Sequence, residues 1–194
     1  MRKFHSAAFV ALAALAVVLG GCATAPKPAA IVAAAPPVAD VSPYRWTQGD
    51  SAKSHQAMVE TFDKTGMKPG EFIWASSIPK EGETKVVVDL VTQMAYVFRG
   101  DALVGASTIS SGKEGKETPL GIWPVLQKQK FHRSRKYDNA PMPFMQRLDS
   151  YGIALHGGNN PGYPASHGCV RLPLKFAEKL YSLTKVGSVV VIEG

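Results

Sequence analysis

Hydrophobic and polar residues alternate most clearly between Thr84 and Ser110, where the period is two. Val86, Val88 and Leu90 fall on one face of Lys85 to Leu90, and Met94, Tyr96 and Phe98 on one face of Gln93 to Phe98. Two strands joined by a tight connection are predicted there. Arg99-Gly100-Asp101 predicts a turn, and Ala102 to Ser110 a third strand. After a polar loop from Ser111 to Lys116, Thr118-Pro119-Leu120-Gly121 opens an extended run, Ile122 to Leu126. Gly152 to His156 reads as a short apolar strand that ends on the histidine. Pro173 suits the first position of a helix, with Leu174, Ala177, Leu180 and Tyr181 at helical spacing, and Val189 to Ile192 make a last strand. There are no internal repeats. The pattern predicts a mainly β protein with one C-terminal helix and one long connection, Lys128 to Ser150.

The residues before Thr84 follow other rules. Arg2 and Lys3 precede an uncharged apolar run, Ala7 to Val18. A membrane span needs about 20 such residues, so the run reads as a signal peptide. It ends in Leu19-Gly20-Gly21-Cys22, which predicts a lipoprotein signal over residues 1–21, cut before Cys22, with lipid on that thiol. An ordinary signal with an incidental cysteine is the alternative. Residues 22–41 are dominated by alanine and proline and predict a semi-extended tether. Residues 42–83 predict a lead-in segment that packs on the main domain, 84–194. A short helix from Ser51 to Lys64 would turn Met58, Val59 and Phe62 to one side, and Lys68-Pro69-Gly70 would turn the chain into Phe72-Ile73-Trp74. Ala23 after the cysteine, rather than aspartate, points to the outer membrane, so the expected location is its periplasmic face, through a lipid anchor.

Export changes how charge and cysteine are read. The chain of 194 residues carries a net charge of +7, or +5 once Arg2 and Lys3 leave with the signal. That excess is modest, and an exported chain does not meet nucleic acid, so acidic polymers of the envelope are the better partners. Of the two cysteines, lipid on Cys22 would leave Cys169 without a disulfide partner in an oxidising compartment. A Cys22–Cys169 disulfide is the alternative that lipidation would exclude.

The candidate chemistry lies in Leu155-His156-Gly157-Gly158 and Ser166-His167-Gly168-Cys169-Val170-Arg171. An ordinary thiol has a pKa of about 8.5 and needs a base or positive field to act as a nucleophile. His156 and His167 are both on offer, the second on the same side as Cys169 if the segment is extended. The backbone N–H groups of Gly168 and Cys169 could receive an oxyanion. A core cysteine with hydrogen-bonded histidines is the plainer alternative. A zinc site from His156, His167 and Cys169 has suitable ligand types but no supporting spacing, so no metal and no cofactor is expected.

These stretches together resemble the YkuD-type L,D-transpeptidase catalytic domain, whose signature is His-Gly, a spacer, then Ser/Thr-His-Gly-Cys with Arg or Asn two residues on. Val88-Asp89-Leu90 with Gln93 and Tyr96, Ser110-Ser111-Gly112-Lys113, Thr118-Pro119-Leu120-Gly121 and Ala140-Pro141-Met142-Pro143-Phe144 are similar to further family stretches in the same order. The spacer Gly157 to Ala165 holds nine residues, shorter than in many members, so the pairing of substrates does not carry over with the nucleophile.

The resemblance implies a YkuD-like β-sandwich with a long substrate-side connection, acting on peptidoglycan peptide stems. Cys169 would attack the carbonyl of the third stem residue at its L-centre and release D-alanine. His156 would accept and return the proton, His167 would orient the site, and Gly168 would contribute an oxyanion amide. The thioester would pass to an amine. Passing it to water, in an L,D-carboxypeptidase or a wall-protein-releasing peptidase, is an alternative, as is a non-catalytic peptidoglycan-binding lipoprotein. Arg171, Ser166, Tyr163, Met142 and Phe144 are the expected substrate contacts, with Arg171 open to a structural role instead. Lys128, Lys130, Arg133, Arg135 and Lys136 surround a non-catalytic His132, as a solvated loop or as a cationic lip for carboxylates.

Overall fold

The computed structural model describes residues 43–194. The signal segment, Cys22 and the alanine- and proline-rich tether lie outside the described residues.

The predicted alternation between Thr84 and Ser110 becomes the centre of a six-stranded sheet. In chain order the described elements are α1 (Asp50–Phe62), β1 (Phe72–Trp74), β2 (Thr84–Asp89), β3 (Met94–Arg99), β4 (Ala102–Thr108) and β5 (Gly121–Pro124), then β6 (Gln127–Gln129), β7 (Met145–Arg147), β8 (Ala154–Gly157), β9 (Val170–Leu172), α2 (Leu174–Leu183) and β10 (Val189–Glu193). The first sheet runs β1-β4-β3-β2-β10-β5, and a second, four-stranded sheet runs β6-β7-β8-β9. The fold is mainly β, with two sheets sharing one core and a C-terminal helix, as the sequence predicts.

Period two assigns each face of the first sheet a partner. Val86 and Val88 on β2 join Ala95 and Val97 on β3 and Val190 and Ile192 on β10 in the main core. Leu155, Val170 and Leu172 of the second sheet meet them there, with Phe176, Ala177 and Leu180 of α2. The opposite face carries Val87, Met94, Tyr96 and Leu103, and α1 covers it with Met58. Both faces of β2 and β3 are therefore buried, where the alternation alone predicts one.

The lead-in segment supplies part of this body. Its β1 pairs antiparallel with β4, turning Phe72 and Trp74 into the main core and Ile73 towards α1. Trp74 lies over Gly105, where any Cβ would sit 2.4 Å from the indole, so this pairing requires glycine. Trp74 also meets Phe176 edge-on, with ring centroids 5.2 Å apart. The start of α1 has no side-chain cap of its own. Its first two amides, Asp50 and Ser51, donate instead to the buried carboxylate of Glu193 on β10, joined by the Gln48 amide just before the helix. Met58 is fully buried beneath α1, so Met58→Ala is expected to cost about 2–5 kcal/mol by chemical unfolding. A loss under about 0.5 kcal/mol would mean that α1 is not part of the folded unit.

Three local expectations change. Pro173 caps α2 from outside rather than occupying its first turn. The buried stripe of α2 is Phe176, Ala177 and Leu180, while Leu174 is half exposed. The long connection is also not free chain: β6 and β7 lie within it. Between them residues 130–144 form an antiparallel arm, with Phe144 N–H donating to Lys130 O, Met142 to His132 O and Ser134 to Ala140 O.

Candidate active site

The second sheet separates core from site by the same period of two. Gln146, Leu155, Val170 and Leu172 point to the buried side, where Gln146 accepts a hydrogen bond from Thr184. Met145 and Arg147 on β7, His156 on β8 and Arg171 on β9 line the other side, a cavity of about 920 Å³. Strands β8 and β9 are parallel, with His156 opposite Arg171. Cys169 stands two residues before Arg171, packed against Met142, Met145 and Ala154. The thiol and the His156 imidazole therefore share one face as diagonal neighbours on adjacent strands.

Each carries a specific constraint. His156 Nδ1 bonds to Gly157 O at 2.9 Å. The carbonyl accepts, so the proton sits on Nδ1 and Nε2 keeps the lone pair. Burial lowers the imidazole pKa from 6.5 to about 4; the Gly157 bond opposes this, and Arg171 and His132 add to it. Burial pushes the Cys169 thiol up, as does the Asp149 carboxylate, while the Ala154 amide and Arg171 offset part of the rise. At rest the pair is a neutral thiol and a neutral imidazole. The thiol donates to Gly152 O at 3.6 Å, a carbonyl presented by a turn in which Asp149 Oδ1 gathers the amides of Tyr151, Gly152 and Ile153 at 2.8–2.9 Å.

The depressed imidazole links pH to stability. The unfolded histidine titrates near 6.5 and the folded one near 4, so between them the unfolded chain binds the extra proton. Stability is therefore complete above about pH 6.5 and falls as pH drops towards 4, by up to about 3 kcal/mol from this residue. Urea unfolding at pH 7 and pH 4.5 should show the loss, and His156→Gln should reduce it.

The cysteine loop is braced from three sides. Thr118 Oγ1 accepts from Gly112 N–H and donates to Gly168 O, both at 2.9 Å. Gln93 grips Ser111 through two hydrogen bonds, 2.8 and 3.0 Å long, and Ser111 O in turn receives the amides of Ala165 and Ser166. Gly168 has φ +117°, and a Cβ there would meet Ile153 Cδ1 at 2.6 Å. The positive φ demands glycine, and a side chain there would also have to displace the end of Ile153.

Several expected roles are corrected by these contacts. Gly168 N–H is engaged, donating to Ser166 Oγ at 3.0 Å, so it does not stand open for an oxyanion. Ser166 is buried, and its hydroxyl is committed between that amide and Cys169 O, to which it donates at 2.6 Å, rather than to substrate. Phe144 packs against Tyr181 and the main core, away from the cavity. Tyr163 is 61% exposed and also off the cavity wall; its carbonyl accepts from Ser110 Oγ. Met142 does line the cavity. His167 is exposed because the positive φ of Gly168 ends the extended alternation, and its ring stacks on Tyr137 with centroids 4.3 Å apart. Lys128 leaves the basic cluster. On β6 only Gln127 and Gln129 face the cavity, and the Lys128 ammonium donates to Tyr181 O and Thr184 O at the end of α2. His132 lines the cavity with Nδ1 held by Gln129 Oε1.

Sequence reasoning did not find Tyr137, Asp149, Arg147 or Met145. The Asp-x-x-Gly run before Ile153 was a readable turn signal for Asp149; the stacking of Tyr137 on His167 had none. Among the described residues no group of three His, Cys, Asp or Glu side chains converges as a metal site requires.

Two sheets on one core, with a thiol and a neutral imidazole on the outer face of the smaller sheet, define a β protein whose cavity brings together two groups of the types used in acyl transfer. The family model for the L,D-transpeptidase catalytic domain, YkuD, matches residues 83–192, and the chain belongs to that family. Its fold is similar to an L,D-transpeptidase from Stackebrandtia nassauensis, with a TM-score of 0.54 and 27% identity over 72% of this chain and 63% of that one. It is also similar to one from Mycobacterium tuberculosis H37Rv, with a TM-score of 0.55 and 20% identity over 57% of each chain. L,D-transpeptidase 3 from Mycobacterium tuberculosis, solved with a faropenem-derived adduct, has a TM-score of 0.51 and 19% identity over 56% of this chain and 59% of that one. The chain thus spans about three fifths of the length of these proteins. No curated protein matches it.

Proposed function

We propose that this protein is a cell-wall L,D-transpeptidase that works through a thioester on Cys169, held by lipid on Cys22 at the periplasmic face of the outer membrane. The observation that carries the chemistry is the shared sheet face of Cys169 and His156, with His156 Nδ1 tied to Gly157 O. The donor is a peptidoglycan tetrapeptide stem.

His156 Nε2 takes the thiol proton as Sγ bonds to the carbonyl carbon of the third stem residue. Neither group is charged at rest, so proton transfer and attack proceed together. We assign the developing oxyanion to the Cys169 amide, since Gly168 N–H is already engaged. The bond to D-alanine then breaks, and the imidazolium returns its proton to the leaving amine. An amine from a second stem attacks the thioester, gives a proton to His156, and releases the thiol.

The site leaves the acceptor open, and the products identify it. The soluble domain incubated with tetrapeptide-bearing muropeptides and read by mass spectrometry should give cross-linked dimers. Tripeptides alone would mean water is the acceptor, and unchanged muropeptides would contradict the proposal. Faropenem should also acylate Cys169, by attack of the same thiol on its lactam carbonyl.

A further inference from the structure

The walls of the cavity carry far more positive than negative charge. Arg133, Arg135 and Lys136 reach it from the arm, and Arg147 and Arg171 from the sheet beneath; among the described residues Asp138 is the one carboxylate in its wall. The ion pairs among the described residues are Lys85–Asp50, Lys175–Glu178 and Lys185–Glu83, and none uses a cavity cation. Arg133 is steadied by donating to Asn139 O at 2.9 Å, a neutral partner that leaves its charge uncompensated. Arg147 Nε is buried and has no acceptor on the protein. Arg171 already acts on the electrostatics of Cys169 and His156, which leaves two cationic groups free for a ligand, the arm above and Arg147 below.

Like charges gathered around a cavity repel one another and gain most from a ligand that brings several negative charges. The arm can hold such a ligand in place, because its backbone ladder fixes both strands and Tyr137 at its tip stacks on His167 beside the thiol.

We propose that the cationic arm and Arg147 form a carboxylate-recognition site that selects acidic donor peptides, those with free side carboxylates, over the same peptides with those carboxylates amidated. The inference rests on the acyl-transfer reading above. Arg147 takes one carboxylate from the sheet side, and Arg133, Arg135 and Lys136 take a second from the arm side. Arginine suits the task because its planar fork meets a carboxylate with two parallel hydrogen bonds.

The test compares D-alanine release from two synthetic tetrapeptide stems that differ only in whether their side carboxylates are free or amidated. At low salt kcat/KM should favour the acidic stem by about tenfold, the yield of two or three partly exposed charge pairs. Raising sodium chloride to about 0.5 M should shrink that ratio, because screening lengths fall well below the size of the cavity. In the triple variant Arg133→Gln, Arg135→Gln, Lys136→Gln the ratio should fall towards one, mainly through a higher KM for the acidic stem. Equal rates at low salt, or a preference for the amidated stem, would overturn the inference and leave the proposed function standing. Release from neither stem would overturn both.

Discussion

Cys169→Ala is expected to eliminate every acyl-transfer product, cross-linked or hydrolysed, with a loss on the order of 10⁴- to 10⁶-fold, the range seen when a covalent nucleophile is removed. No neighbouring group can stand in. Ser166 is the nearest hydroxyl in sequence, but it is buried and committed to Gly168 N–H and Cys169 O. The thiol packs lightly, against Met142, Met145 and Ala154, so the variant should fold and unfold close to the wild type. Muropeptide digestion with a parallel melting curve separates lost chemistry from lost structure. Product from a folded Cys169→Ala protein would remove the mechanism.

His156→Gln is expected to lower kcat/KM by about 10²- to 10⁴-fold, the usual contribution of a positioned general base. Glutamine preserves much of the volume and can still donate towards Gly157 O, but it cannot take a proton. The effect should lie at the upper end of that range because the thiol is held above its ordinary pKa by burial and supplies little thiolate unaided. The wild-type pH profile carries the same signature. With the imidazole lowered to about 4, kcat/KM should be level from pH 7 to about pH 5 and fall as His156 gains its proton below that. With a histidine left near 6.5, half the activity would be lost about 2.5 pH units higher. The acid limb should be absent from His156→Gln.

The parts legible in the sequence were those written in local pattern. Alternation marked β2, β3 and β4, and the run to His156 marked β8, because each buries one face against a distant partner. What alternation could not reveal was the second partner. Val87 and Tyr96 are as buried as Val86 because α1 covers them, and α1 is held by Glu193, more than 140 residues away. Strands β6 and β7 are three residues each, too short for a period to show, so the arm they carry read as open loop.

The site divides in the same way. Cys169 and His156 stand out because a thiol and an imidazole are residue types that carry nucleophilic and proton-transfer chemistry, and Gln93, Ser111, Gly112 and Thr118 stand out through family resemblance. The structure gives that second group a physical task, since their hydrogen bonds fix the cysteine loop. The substrate-side expectations at Phe144 and Tyr163 failed because a motif fixes sequence position but not side-chain direction, while Ser166 lines the cavity with its hydroxyl already committed to the cysteine loop. Phe144, with φ +56°, packs into the core, and Tyr163 holds Ser110 through its carbonyl while its ring lies off the cavity wall.

The most direct measurement is the intact mass of the wild-type protein, taken within seconds of mixing with a tetrapeptide stem in the absence of an amine acceptor, followed by peptide mapping. The mass should rise by that of the tripeptidyl acyl group, on the peptide containing Cys169, and D-alanine should appear in equal amount. Release of D-alanine with no adduct under any quench, or an adduct that maps to another residue, would contradict a thioester on Cys169.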